Sequence, residues 1–267
     1  MSGNAALDSR RHWFFDFDGT LFDTEADIKL AWLAVLKLLK LDTTRFEERY
    51  RTGPSLPDMT RALFAGAPDL ERIVADVKAN FGQVYDESGF PNTRPYPGAV
   101  AWVRALKASG KSLYVATNKR RRPTCLLLEQ HGLADLFDEV YTSDCIPGRL
   151  LGKPEYLAHA LRTRGIDPDD AVMVGDTAID VRGGRANGMA VKTVDWGYGT
   201  GPFYARVARI LELPRAGADT RFREAPGWCS LMAFGLLAFL ENECGAALAL
   251  SDLDRCETAE DLFIRTC

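Results

Sequence analysis

The chain of 267 residues is predicted to be an α/β protein with a doubly wound parallel sheet, an inserted helical cap and a C-terminal helical segment. Three observations predict it. Short apolar runs alternate with helix-spaced segments between residues 96 and 194, the pattern of strands buried on both faces and joined by crossover helices. These runs end in polar or acidic residues, as they do where open α/β sheets gather their reactive groups. A purely helical stretch separates the first apolar run from all the others, so a helical unit interrupts the first strand–helix connection.

The first strand is His12-Trp-Phe-Phe-Asp-Phe-Asp18, an apolar-aromatic run that stops at Gly19-Thr20. Ile28, Trp32, Val35, Leu36 and Leu39 then recur at helical spacing. The helical pattern continues to about Pro91, broken at Gly53-Pro54 and Ala67-Pro68. Tyr96-Pro97-Gly98 opens the alternating region. A helix is expected around 100–109 with Gly110 closing it, then a strand over 112–117, a helix over 123–132, and a short strand near Val140. A helix over 154–164, a strand over 171–174, a helix over 180–187 and a strand over 190–194 complete the unit. The expected division is a core of 12–24 and 92–201, a cap of 25–91, and a C-terminal module of 202–267.

Composition sets the function classes. With 46% hydrophobic and 26% charged residues the chain is neither disordered nor collagen-like. A formal charge of −4 argues against a general nucleic-acid binder, which needs a basic surface to displace counterions. No apolar stretch in the first residues resembles a signal peptide, and the longest apolar run, 231–240, is too short for a bilayer that takes about 20 residues. A soluble, cytoplasmic protein is expected, with no membrane partner. Cys125, Cys145, Cys229, Cys244, Cys256 and Cys267 form no Cys-x-x-Cys pair and lie at no zinc spacing with His12, His131 or His159. Reduced, buried thiols are the expectation.

The chemistry concentrates at the strand ends. Asp16 and Asp18 close the first strand, Thr117 and Asn118 the second, and Gly175-Asp176 a later one. Asp180 follows one turn on, and Lys153 opens the helix before Asp176's strand. Carboxylates converging at one edge repel unless a cation sits among them, and an oxygen-rich set without His or Cys suits Mg²⁺. One Asp can then attack phosphorus. A second, two residues on, shares its face only if the chain turns, which Gly19 permits. That second carboxyl can protonate the leaving oxygen and later deprotonate water.

Asp16-Phe-Asp18-Gly-Thr20, Thr117-Asn118, Lys153-Pro154 and Gly175-Asp176-Thr-Ala-Ile-Asp180 resemble, in order, the four motifs of the haloacid dehalogenase-like hydrolase superfamily. Residues 12–200 more narrowly resemble its phosphoglycolate phosphatase-like members, through Phe-Asp-Gly-Thr-Leu-Phe-Asp-Thr, Tyr-Pro-Gly, Ala-Thr-Asn-Lys and Val-Asp-Trp-Gly-Tyr-Gly. The resemblance implies a Rossmann-like core and a phosphatase acting on a small phosphorylated metabolite. It implies Asp16 as nucleophile, passing through an aspartyl-phosphate, and Asp18 as general acid/base. It further implies Thr117, Asn118 and Lys153 as phosphate binders. Mg²⁺ would be held by Asp16, Asp176 and the Asp18 main-chain carbonyl, with Asp180 as ligand or support. Phosphomutase relatives share all four motifs, so that reaction stays open.

Two features stand beside the motifs. Arg51-Thr-Gly-Pro-Ser55 reads either as a specificity loop of the cap or as an ordinary helix connection. Lys119, Arg120, Arg121 and Arg122 precede the helix expected at Pro123, where cations oppose the helix dipole; they suit an anionic substrate, an acidic docking partner, or a solvated loop.

After Gly201 the pattern changes. Val207, Ile210 and Leu211 suggest a helix, 219–231 a loop, 230–243 an apolar helix, and Thr258 the start of another. Thr220-x-Phe222, Pro226-Gly-Trp-Cys-Ser230-Leu, Phe239-Leu-Glu-Asn-Glu243 and Thr258-Ala-Glu-Asp-Leu262 resemble an acyl carrier protein domain. That resemblance implies phosphopantetheine on Ser230 and docking to biosynthetic enzymes, although Cys229 stands where such carriers have Asp. The alternative is a final strand over 216–222 and a last core helix that Ser230 merely caps.

Overall fold

The computed structural model describes residues 7–52 and 55–267. A five-stranded parallel sheet forms the centre, with β1 (His12–Phe15), β4 (Ser112–Thr117), β5 (Glu139–Thr142), β6 (Ala171–Gly175) and β7 (Ala190–Thr193) in the order β5-β4-β1-β6-β7. β1 is the middle strand, pairing Phe15 with Val115 on one side and with Val174 on the other. The carboxyl ends of β1, β4 and β6 therefore lie side by side. Register alone brings Asp16, Thr117 and Asp176 to one edge.

Alternation places Trp13 and Phe15 on one face and Phe14 on the other, and all three are buried. Phe14, Tyr114, Ala116 and Met173 pack against Tyr156, Leu157, Ala160 and Leu161 of a helix over Lys153–Arg164. The opposite face packs Trp13, Phe15, Val115 and Val174 with Val103, Leu106 and Leu127 from the helices α5 (Pro97–Ala108) and α6 (Arg121–Gln130). Burial on both faces explains why these strands read as continuous apolar runs.

Among the described residues four helices lie between β1 and α5: α1 (Glu25–Leu38), α2 (Phe46–Arg49), α3 (Leu56–Leu63) and α4 (Leu70–Glu87). Trp32, Val35 and Leu36 of α1 meet Val77 and Phe81 of α4, with the Trp32 and Phe81 rings 5.3 Å apart. The chain leaves and re-enters the core through two short antiparallel strands, β2 (Phe22–Asp23) and β3 (Arg94–Pro95). Asp27 of α1, buried, ties the two crossings together: its carboxylate accepts from the Asn92 and Thr93 amides, the Asn92 side chain and the Thr93 hydroxyl.

Beyond α7 (Lys153–Arg164) and α8 (Ala178–Ala186), the chain continues into α9 (Thr200–Ile210), α10 (Ser230–Asn242), α11 (Leu250–Leu253) and α12 (Ala259–Arg265). These helices share one hydrophobic core, which also takes in Val181 of α8. Glu260 bonds to the Thr193 amide and hydroxyl, so the segment is fastened to the sheet's edge strand.

Several boundaries differ from expectation. Helix α5 starts at Pro97, where proline's missing N–H costs nothing, rather than near Val100. Helix α6 starts at Arg121 rather than Pro123, because the Asp144 carboxylate accepts the Arg121 amide at 2.9 Å. Residues 216–222 form no strand; Phe222–Glu224 is a single 3₁₀ turn. Ser230 is the first helical residue and not the cap, a place taken by Cys229. All six cysteines are free thiols, yet only Cys256 is buried and Cys229 is exposed. Among the described residues no helix is long and apolar enough to cross a membrane.

Candidate active site

The site grows from the end of β1. The Asp16 amide donates to the Val174 carbonyl at 2.9 Å, extending the strand pairing by one residue. The chain then coils: the Leu21 and Phe22 amides both donate to the Phe17 carbonyl at 2.9 Å, and Gly19 sits at φ +81°. This is the turn that the Asp-x-Asp pattern demanded. A Cβ at Gly19 would lie 2.6 Å from Asp176 Oδ2 and 2.7 Å from Tyr198 Cδ2, so only glycine fits both the conformation and the space.

Asp16, Asp176 and Asp180 are all buried, with one oxygen of each within 4.8 Å of the others. Two full charges at that separation repel by about 3–4 kcal/mol at an effective dielectric near 20. Lys153, 2% exposed, supplies one compensating charge, its Nζ 2.9 Å from Asp16 Oδ1 and bonded also to Asp180 Oδ1. Burial opposes the ammonium, but Asp16 and Asp180 outweigh it and hold the Lys153 pKa well above its ordinary value.

One cation does not balance three carboxylates. Burial, then the charge of Asp180, push Asp16 up to about 7 despite Lys153. Burial, then Asp180 and Asp16, push Asp176 up to about 8. The three acids are not equally free to bind an ion. Asp180 Oδ2 accepts from the Asp176 and Thr177 amides and the Thr177 hydroxyl, while its Oδ1 takes Lys153. Asp180 thus holds the loop and the lysine. Asp176 itself accepts from the Thr20 hydroxyl and from the Tyr198 and Gly199 amides. Buried, mutually repelling oxygens with no nitrogen or sulfur donor fit a hard divalent ion.

Asp18 stands outside this cluster. Its Oδ1 accepts from the Thr24 hydroxyl at 2.8 Å and from Lys119 Nζ at 2.9 Å. Lys119, with a 5% exposed side chain, also donates to the Tyr85 hydroxyl of α4 at 2.6 Å. The neighbouring Arg120 bonds to the Gly82 carbonyl and to Asp86 of the same helix turn. Two members of the basic run thus grip the inserted helices, while Arg121 pairs with Glu139. Lys119 and Arg120 are therefore engaged, while Arg121 and Arg122 stay exposed to solvent. Residue order hinted at Lys119 through Thr117-Asn118, but its partner Tyr85 comes from a helix 34 residues earlier.

Thr117 is buried, its hydroxyl accepting the Lys119 amide at 3.1 Å. Asn118 is exposed, held by Tyr156 on its side chain and Ser143 on its carbonyl. In the expected specificity loop, Gly53 and Pro54 lie outside the described residues. The Arg51 guanidinium turns back onto the Glu48 and Tyr50 carbonyls, and Thr52 donates to Glu25. Ser230 is exposed at the start of α10, and among the described residues no hydrogen bond joins it to the carboxylates.

The model of the haloacid dehalogenase-like hydrolases matches residues 13–194, which include Asp16, Asp18, Thr117, Asn118, Lys153, Asp176 and Asp180. The chain is a haloacid dehalogenase-like hydrolase. Within that family it belongs with the phosphoglycolate phosphatase-like members, and it is an enzyme that hydrolyses phosphate monoesters. It is 32% identical to a phosphoglycolate phosphatase of Neisseria meningitidis, over 73% of this chain and 85% of that one. It is 34% identical to that of Caulobacter vibrioides, over 76% and 88%. The crystal structure of a predicted phosphoglycolate phosphatase from Haemophilus somnus superposes with a TM-score of 0.61 at 25% identity, covering 72% of this hydrolase and 88% of that chain.

Metal and pH are linked in this site. In the folded, metal-free hydrolase Asp16 and Asp176 bind protons that the unfolded chain has already released above about pH 4. The native state then holds more protons than the unfolded one, so stability falls as pH rises from about 4 to about 8. A divalent ion held by these carboxylates would replace those protons. The expected result is a melting temperature that declines over this window in EDTA, and a Mg²⁺-induced increase that grows with pH. Thermal melts with and without Mg²⁺ across the range check it; a pH-independent increment would contradict it.

Proposed function

We propose that this hydrolase is a Mg²⁺-dependent phosphatase of a small phosphate monoester, phosphoglycolate or a close relative, working through an aspartyl-phosphate on Asp16. The observation that carries the proposal is the meeting of Asp16, Asp176, Asp180 and Lys153 at one sheet edge, with Asp18 a turn away and outside the cluster. Asp16 attacks phosphorus, and the bond to the ester oxygen breaks. Asp18 delivers a proton to that oxygen, then takes one from the water that hydrolyses the acyl phosphate. Lys153, Thr117 and Asn118 bind the phosphoryl oxygens and hold their charge. Mg²⁺, held by Asp16, Asp176 and the Asp18 carbonyl, would neutralise charge on the phosphoryl group. Asp180 orients Lys153 and the 176–177 loop.

Helices α1–α4 serve as the cap, closing on the core through Lys119 and Arg120 and excluding water during transfer. The segment after Gly201 buttresses the edge strand, and Ser230 has no part in this chemistry. Transfer to a second phosphorylated molecule uses the same groups, but the relatives named above are phosphatases, which favours water as acceptor. Free thiols suit a reducing, cytoplasmic setting.

Phosphate release from a panel of monoesters, with Mg²⁺ or with EDTA, tests the proposal. Metal-dependent release from a small acidic monoester is expected, reduced at least about a hundredfold by EDTA. Failure to hydrolyse any monoester in Mg²⁺ would remove it.

A further inference from the structure

The junction between core and cap is held by a residue of the Val-Asp-Trp-Gly-Tyr-Gly stretch to which the mechanism gives no role. Helix α1 begins without a cap of its own: Thr24 occupies the N-cap position, but its hydroxyl is committed to Asp18 and makes no capping bond. The Glu25 amide makes a longer local bond to Asp23 Oδ1 at 3.3 Å, but its shorter partner, like that of the Thr24 amide, is a side chain far along the sequence. The Tyr198 hydroxyl accepts the Thr24 amide at 2.7 Å and the Glu25 amide at 3.0 Å, and donates to Asp23 Oδ1 at 3.0 Å. Those three residues are the outgoing crossing between core and cap. The return crossing is bound to α1 through Asp27, so what holds α1 holds both.

The same residue reaches the carboxylate cluster. The Tyr198 amide donates to Asp176 Oδ2 at 2.7 Å, and its ring packs where a Cβ on Gly19 would stand. One residue thus spans from a candidate metal ligand to the cap hinge, through backbone at one end and a phenol at the other. Tyr198 lies just beyond the span matched by the family model.

We propose that Tyr198 is a positioning residue that pins the cap hinge to the Asp176 loop, setting how often the cap is closed over the site. The two functions separate chemically. Removing the hydroxyl leaves the amide that serves Asp176 and deletes the acceptor shared by the Thr24 and Glu25 amides, leaving only the longer Asp23 bond to Glu25. A hydrolase with a looser hinge spends less time closed, and its apparent substrate affinity falls by the lost closed fraction while chemistry in the closed state is unchanged.

Tyr198→Phe tests this, with Tyr204→Phe as the control. Tyr204 is a buried tyrosine whose hydroxyl bonds to Thr193 and is remote from the hinge in the bonding pattern. Amide hydrogen exchange of peptides spanning residues 22–27 is measured in the metal-free protein. The hinge amides are expected to exchange about tenfold faster in Tyr198→Phe, with wild-type exchange there in Tyr204→Phe. For the kinetic arm, which alone rests on the phosphatase reading, KM is expected to rise about five- to tenfold with kcat within about twofold. Calorimetric Mg²⁺ affinity is expected to stay within about twofold, since the Asp176 contact is a backbone one. Unchanged exchange at 22–27 would overturn the proposal even if activity fell. So would exchange that rises equally in both variants, or a loss of kcat at constant KM. If no monoester is hydrolysed, the phosphatase reading fails while the exchange result still decides the role of Tyr198.

Discussion

Asp16→Asn is expected to reduce phosphate-ester turnover by about four orders of magnitude or more, the scale on which losing a covalent nucleophile is felt. The amide is nearly isosteric with the carboxylate, so the turn from Asp16 to Phe22 and the pairing with Val174 should persist. Stability should move the other way. Asp16 is buried against Asp180 and raised to about 7, so an uncharged side chain relieves a repulsion that the metal-free protein endures near neutral pH. Loss of turnover with an equal or higher EDTA melting temperature would mark Asp16 as a residue kept for chemistry. Single-turnover kinetics and thermal melts on the same preparation check both halves. A variant with wild-type turnover would show that another group attacks phosphorus.

Lys153→Met is expected to damage both fold and function. The ammonium is the cation bonded to both Asp16 and Asp180, in a site where its side chain is 2% exposed. Methionine matches the stem but leaves the carboxylates uncompensated, and breaking a buried pair in this way costs about 3–5 kcal/mol. Protonation limits the loss: as pH falls below about 7 the carboxylates neutralise, so the deficit against wild type should shrink in acid and widen above neutrality. Turnover should fall by about two to three orders of magnitude, the effect of removing one preorganised donor to a transferring oxygen. Urea denaturation at several pH values, with steady-state kinetics at one, is the measurement. A pH-independent stability loss would show that Lys153 acts through packing alone.

Much of this was legible in one dimension because the relevant signals are local. The strand Ser112–Thr117 was delimited correctly, since a run buried on both faces is apolar throughout and stops where the chain meets solvent at the sheet edge. The convergence of Asp16, Asp176, Asp180 and Lys153 followed from the same rule, applied to parallel strands whose ends must lie together. Helix starts were less visible. Nothing near Arg121 announces that Asp144 will accept its amide, and nothing near Thr24 announces Tyr198. A helix end satisfied by a distant residue has no local signature, so its boundary is misplaced or its fastening overlooked. The basic run is legible only as charge, because the partners of Lys119, Arg120 and Arg121 (Tyr85, Asp86 and Glu139) come from elsewhere in the chain.

By itself, then, the order of residues determined the sheet, the edge at which acids gather, and the glycine that the turn after Asp18 requires, because alternation, burial and backbone freedom act within a few residues. Only the tertiary structure decided how the acids divide their work. Asp180 is spent on Lys153 and the 176–177 amides, Asp176 accepts from Thr20, Tyr198 and Gly199, and Asp18 is drawn to Lys119 and Thr24. Only it decided that the hinge answers to Tyr198. Hydrogen bonds and charges act across space, and a carboxylate's role depends on which donors the fold brings within reach of it.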